Sequence, residues 1–82
     1  MTNNDIIRKI GRVLYGENWM RPLSRALECD EKQVRRWGND EAQARNRIVE
    51  RCFDLLLDHE SQVQHAVKEI IAQIKSPPGA DL

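Results

Sequence analysis

The sequence predicts an all-α fold: a small domain of about four to five helices with a long C-terminal amphipathic helix or helix pair. Apolar residues recur at spacings of three and four, and good N-cap residues precede these segments. The chain carries neither the alternation of strands nor an internal repeat. Its 82 residues make one domain, which we place at 1–75. The Pro- and Gly-containing stretch 76–82 predicts a flexible tail.

The first helix is predicted at about residues 3–15. Thr2-x-x-Asp5 has the form of a capping box, in which each residue bonds the other's backbone N–H. Gly16 ends the helix, because glycine tolerates the left-handed conformation common at helix C-termini. The apolar residues that follow at helical spacing are Ile6, Ile7, Ile10, Val13 and Leu14.

The second helix begins between Asn18 and Pro22, since proline fits only the first turn of a helix. Trp19 is expected to pack into the core at the entry to this helix, although a tryptophan here also fits a partner anchor. The residues that share its apolar face are Leu23, Ala26 and Leu27.

The third helix is predicted from Glu31 to about Trp37, with Asp30 as N-cap and Gln33 completing an Asp-x-x-Gln box. Its only apolar residues are Val34 and Trp37, which are three apart and therefore face the rest of the domain together. The outward residues are Glu31, Lys32, Gln33, Arg35 and Arg36. Arg, Lys and Gln side chains carry donors that match phosphates and base edges.

The C-terminal segment, about 41–75, is one long helix or two helices broken near 58–61, where Ser61 would cap the second piece. We expect Asp40-x-x-Gln43 to cap its start. A three-helix unit cannot use such a segment for its core alone, so we expect a homodimer with two recognition helices ~34 Å apart. The alternative is that the segment folds back as two core helices. The candidate dimer-interface residues are Ile48, Cys52, Leu55, Val63, Ile70 and Ile74.

Charge is distributed unevenly along the chain, although its formal net charge is zero. Residues 1–38 hold eight Lys and Arg against five acids, and residues 39–82 hold five against eight. A basic front half predicts a polyanion-binding face, and an acidic back half predicts a separate role for the rest.

Catalytic and metal-binding constellations are absent from the sequence. His59 and His65 are not one helical turn apart, and Cys29 and Cys52 lack C-x-x-C spacing. We therefore expect no enzyme activity, no metal and no cofactor, and we expect both cysteines to be buried. No secretory signal and no apolar run of ~20 residues is visible, which predicts a soluble cytoplasmic protein.

Residues Trp19 to Trp37 resemble the helix-turn-helix of bacterial and phage repressor-like transcription regulators. That family's pattern is Leu-Ala-x-x-Leu-Gly-Val-Ser-x-x-x-Val-x-x-Trp, which Leu23, Leu27, Val34 and Trp37 match in phase. Asp30 replaces the capping Ser, Cys29 replaces the Val and Ser24 replaces the small Ala. Glu28 stands where Gly is usual, so a left-handed backbone there costs roughly 1 kcal/mol.

The resemblance implies a sequence-specific DNA-binding regulator of the repressor type, with the third helix in the major groove of double-stranded DNA. It implies base and phosphate contacts by Lys32, Gln33, Arg35 and Arg36, and a cytosine contact by Glu31. The phosphate-positioning residues that it implies are Arg21, Arg25, Arg45 and Arg47. A second hypothesis is an adaptor that binds a protein partner through the acidic C-terminal segment and keeps the helix-turn-helix as a scaffold.

Overall fold

The computed structural model describes residues 1–75 and contains four α-helices within them. The helices are α1 (Asn3–Tyr15), α2 (Met20–Leu27), α3 (Glu31–Gly38) and α4 (Asn46–Lys75). The predicted all-α fold with a long C-terminal helix is confirmed. The tail predicted at 76–82 lies outside the described residues.

Helix α1 begins and ends as its sequence predicts. The Thr2 hydroxyl accepts from the Asp5 N–H at 3.1 Å, and the Asp5 carboxylate accepts from the Thr2 N–H at 3.0 Å. This reciprocal pair satisfies two backbone donors that the first helical turn leaves without partners. Gly16 closes the helix with φ 78° and donates its N–H to the Arg12 carbonyl.

Trp19 lies in the core, 3% exposed, between α1 and the end of α3. Two glycines make room for its indole. A Cβ added at Gly11 would lie 2.4 Å from the Trp19 ring, and one added at Gly38 would lie 3.3 Å from it. Any side chain at Gly11 would therefore displace the indole, which fixes the distance between α1 and α2.

The connection between α2 and α3 is three residues long and contains a strained position. Glu28 ends α2 in the left-handed region with φ 56° and ψ 44°, as the resemblance implies for this position. Asp30 is extended and caps α3, but its carboxylate accepts from the Lys32 N–H at 3.0 Å rather than pairing with Gln33 as predicted. The result is a tight turn that fixes α3 against α2.

The core combines residues from all four helices and the α3–α4 connection. Its apolar members are Ile7, Ile10, Trp19, Leu23, Leu27, Val34, Trp37, Ala44 and Cys52. Both apolar residues of α3 are in this set, so the helix is held by Val34 and Trp37 as the sequence predicts. Burial of these side chains stabilises α3, which at eight residues is too short to be stable alone.

The connection from α3 to α4 is held by polar side chains of α1, and the predicted capping box there is wrong. Helix α4 begins at Asn46, not near residue 41. Asp40 has φ 59° and its carboxylate accepts from Asn4 and Arg8 at 3.0 Å each. The buried Asn4 amide also donates to the Ala42 carbonyl and accepts from the Ala44 N–H. These bonds use Asp40 as a tertiary anchor, so it does not cap α4.

Helix α4 is a single uninterrupted helix of 30 residues, about 45 Å long at 1.5 Å per residue. It therefore contains no break near residues 58–61, and Ser61 is not an N-cap. Its first half packs on α1, while every residue from Ser61 to Lys75 is exposed. The described part of the chain consequently measures 59 × 21 × 20 Å.

Candidate nucleic-acid interface

The outward face of α3 is basic, and both apolar residues of its inward face are buried. Val34 is 0% exposed and Trp37 is 5% exposed. The side chains of Lys32, Arg35 and Arg36 are exposed, and at ~100° per residue they lie on the side opposite the two anchors. Gln33 and Glu31 are half-buried at the two edges of this face.

Arg35 is already paired within its own helix. Its guanidinium donates to the Glu31 carboxylate at 2.7 Å, one turn earlier in α3. The two side chains are 55% and 37% exposed, so the pair is solvated and easily broken. The pairing orients Arg35 and competes with the cytosine contact that the resemblance implies for Glu31.

Arg21 is brought next to this pair by the short turn between α2 and α3. A shallow groove is lined by Met20 and Arg21 at the start of α2, Glu31 and Arg35 of α3, and Glu17 and Asn18 ahead of α2. The N–H groups of the first helical turn also favour an anion. The structure thus places Arg21 of α2 and Arg35 of α3 in one groove. Their separation in the sequence does not predict this proximity.

The remaining predicted phosphate contacts are exposed but lie on separate elements. Arg25 is in the last turn of α2, Arg45 immediately precedes α4, and Arg47 is in the first turn of α4. Each of these side chains is accessible to solvent. They are placed at the ends of the elements that flank α3.

Arg8 belongs to the basic front half but serves the fold. Its guanidinium donates to the carbonyls of Trp37 and Gly38, at 3.5 and 3.1 Å, and pairs with Asp40 and Asp5. Its bond to Asp40 is the main cause that raises the Arg8 pKa. The Asn4 and Arg8 bonds lower the pKa of Asp40, and the Thr2 and Arg8 bonds lower that of Asp5. A cation at the C-terminal end of α3 also interacts favourably with the dipole of that helix.

Arg51 is a second structural arginine that sequence reasoning missed. Its guanidinium donates to the Leu27 carbonyl at 2.9 Å, at the end of α2. The bond links α4 directly to the helix that precedes the turn, and it satisfies a carbonyl that the helix end leaves open. The only indication in the sequence is that Arg51 is adjacent to Cys52, a residue of the core.

The predicted dimer interface divides into two groups. Cys52 is 0% exposed in its own chain's core, and Ile48 and Leu55 are half-buried against that core. The assignment of Cys52 to a dimer interface is therefore wrong, because this side of α4 faces α1 and α2. Burial raises the pKa of the Cys52 thiol to about 11. Cys29 is half-buried, and desolvation is the main cause that raises its thiol pKa.

The other predicted interface residues remain on the surface. Val63, Ile70 and Ile74 are 46%, 56% and 71% exposed. At 100° per residue these three residues lie within about 40° of Cys52 around α4, and they are exposed because the second half of the helix does not pack on the domain. Phe53 and Leu57, which were not in the predicted set, are 50% and 46% exposed on an adjacent side of the helix.

Comparison with known proteins finds no match among family models, curated proteins or solved structures. Among residues 1–75, none of the helices combines the length and apolar character needed to cross a membrane. Over the same residues, no three His, Cys, Asp or Glu side chains are grouped to hold a metal ion.

Proposed function

We propose that this protein is a sequence-specific DNA-binding transcription regulator of the repressor type, with α3 as the recognition helix. The observation that carries the proposal is the division of α3 into two buried anchors and an exposed face with Lys32, Arg35 and Arg36. A short helix fixed in this way presents its polar side chains on a rigid support. Rigid presentation lowers the entropy cost of binding.

The dimensions of α3 fit a major groove. An α-helix with its side chains is about 10–12 Å in diameter, and the major groove of B-DNA is ≈ 12 Å wide. The three-residue connection to α2 agrees with the 3–4-residue turn of helix-turn-helix proteins. In that arrangement the second helix enters the groove and the first crosses the backbone.

Separate roles for the basic residues follow from their positions. Lys32, Gln33 and Arg36 are the candidates for reading base edges, with Arg36 suited to a guanine through two parallel donors. Arg35 and Arg21 share a groove with Glu31, which suits a phosphate that draws Arg35 away from its carboxylate partner. Arg25, Arg45 and Arg47 would position the duplex through further phosphates.

Capture of genomic fragments followed by competition with unrelated duplex tests this proposal. We expect one set of fragments to be retained, and Arg36→Ala to remove the preference for them while helical content is kept. Arg12→Ala is the matched control, because Arg12 is an exposed arginine of α1 that is not among the candidate contact residues. Failure to retain any fragment, or an equal loss of preference in both variants, contradicts the proposal.

A protein-binding adaptor is the second candidate, and the exposed apolar side of α4 favours it. Val67 and Ile71 are 47% and 43% exposed on a helix that leaves the domain. Sedimentation with and without DNA separates the two functions. A monomer that ignores DNA and binds a different protein through α4 supports the adaptor.

A further inference from the structure

The exposed apolar side of α4 continues onto the body of the domain. Val13 of α1 is 59% exposed, and it borders one groove with Phe53, Leu56 and Val63 of α4. A second groove joins Val13, Phe53 and Leu56 to Ile6 and Ile10 of α1. One apolar surface therefore runs from α1 along α4. We call it the seam.

The seam has the period of a helix-pairing surface. Along the exposed part of α4 its apolar members are Val63, Val67, Ile70 and Ile74, separated by four, three and four residues. Counted back with the same period, Glu60, Leu56 and Phe53 continue it. At 100° per residue Val63, Val67, Ile70 and Ile74 lie within about 60° of Cys52 around α4. This side of the helix is therefore covered by the domain in the first half of α4 and left exposed in the second half.

We propose that a second copy of this chain covers the seam, with the two α4 helices antiparallel. The two ends of the seam differ in width and can therefore complement each other in a dimer. Next to the domain it is broad, with Val13, Phe53 and Leu56, and at the far end it is a single helix with Ile70 and Ile74. Antiparallel pairing lays each far end on the partner's broad end, so that both apolar surfaces leave water.

Charge supports the antiparallel direction. Residues 50–60 hold four acids against Arg51, whereas residues 61–75 hold two lysines against Glu69. Antiparallel helices set residues 55–60, which hold two of these acids, beside residues 70–75 of the other chain, where the one charged side chain is Lys75. Parallel helices in register would instead place Glu60 of one chain against Glu60 of the other inside the seam, where like carboxylates repel.

The antiparallel arrangement also sets the distance between the two domains. If Val63 of one chain packs on Val67 of the other, the two-fold axis passes level with residue 65. Cys52, 13 residues away, is then about 39 Å along the axis from its copy. That separation is close to the ~34 Å of one DNA turn. This last point rests on the proposed function, whereas the dimer itself does not.

Sedimentation equilibrium without DNA tests the dimer, so its outcome is independent of DNA binding. We expect a dimer, and we expect Val67→Glu to weaken self-association by at least about 100-fold, because a lone carboxylate is not tolerated in an apolar interface. Ala72→Glu adds the same charge to the opposite side of α4 and should leave the dimer intact. A wild-type monomer at 100 µM, which would leave the seam to another protein, overturns the proposal.

The direction of the helices is tested with spin labels at Lys75→Cys in a Cys29→Ala background, where Cys52 is shielded by burial. Lys75 is 10 residues from residue 65, so antiparallel helices place the two labelled positions about 30 Å apart. Parallel helices in register place them about 10 Å apart. A short distance, or equal weakening by Val67→Glu and Ala72→Glu, overturns the antiparallel dimer.

Discussion

Arg35 donates to Glu31 at 2.7 Å, one turn away on the exposed face of α3. The bond ties one of the two adjacent arginines to a carboxylate, while Arg36 lies on the same face without sharing that bond. The pair lowers the positive charge that α3 presents to a duplex. Under the proposed function, Arg35 binds a phosphate only if that contact is worth more than this exposed ion pair, which is worth ~0–1 kcal/mol.

Glu31→Gln should raise affinity for unrelated duplex and reduce sequence preference. The substitution removes the carboxylate that competes with DNA for Arg35 and raises the net charge of α3 by one. We expect the affinity for random-sequence DNA to rise about 3- to 10-fold at low salt, within the range of one phosphate contact. Fluorescence anisotropy with a labelled random duplex measures it, with Glu50→Gln, at an exposed position of α4 outside the groove of Arg21 and Arg35, as a control for charge alone. Equal gains in both variants would show that the Arg35 pairing has no specific role.

Gly11→Ala should destabilise the domain, because its Cβ would lie 2.4 Å from the Trp19 ring. Moving a buried indole costs about 1–3 kcal/mol, as for other overpacked cores. Urea unfolding followed by tryptophan fluorescence measures both the loss of stability and the change in the surroundings of Trp19. Arg12→Ala, at an exposed neighbour in α1, is the control. Unchanged stability of Gly11→Ala would show that α2 moves away from α1 at little cost.

Glu28→Gly should stabilise the protein by about 0.5–1 kcal/mol, because glycine adopts φ 56° without the penalty of a side chain. The matched control is Glu28→Ala, which keeps a Cβ and should give no such gain. Thermal unfolding compares them, and for a domain of this size 1 kcal/mol corresponds to roughly 4–8 °C. A gain of the same size in both variants would assign the effect to loss of the Glu28 charge.

Stability should fall as the solution is acidified below about pH 4. Hydrogen bonds from Thr2 and Arg8 lower the folded-state pKa of Asp5 below its ordinary value, and those from Asn4 and Arg8 do the same for the pKa of Asp40. Carboxylates with depressed pKa values contribute stability that is full above the unfolded value and is lost as the pH falls through the folded values. Thermal unfolding between pH 2 and pH 7 measures this change. The Asp40→Asn variant should be less stable than wild type at pH 7 and should lose less stability on acidification. A stability profile parallel to that of wild type would exclude Asp40 as a source of this pH dependence.

Much of the fold could be predicted from sequence because local signals and core spacing agree there. Thr2 and Asp5 cap α1, Pro22 limits the start of α2, and Val34 and Trp37 mark the inward face of α3. Glu28 stands where the pattern of the resembling family has Gly, and its backbone is left-handed. In each case the decisive contacts are within one helix or across one short turn.

The parts that sequence reasoning missed depend on contacts between distant residues. Asp40 has the spacing of a cap, yet Asn4 and Arg8 hold it from 36 and 32 residues away. Cys52 and Val63 lie on the same side of α4, yet Cys52 is buried and Val63 is 46% exposed, because only the first half of the helix packs on the domain. Periodicity of three and four does not show where along a long helix the core of the chain's own domain ends.

The central claim is that the exposed face of α3 meets the DNA backbone and bases. Titration of a retained duplex at 50 and 200 mM salt, with wild type and with the Arg35→Ala/Arg36→Ala double variant, tests it most directly. We predict affinity that falls steeply with salt in the wild type, and specific binding that is lost in a still-helical double variant with a slope shallower by about 1–2. Equal affinity and equal slope for the two proteins would contradict the account.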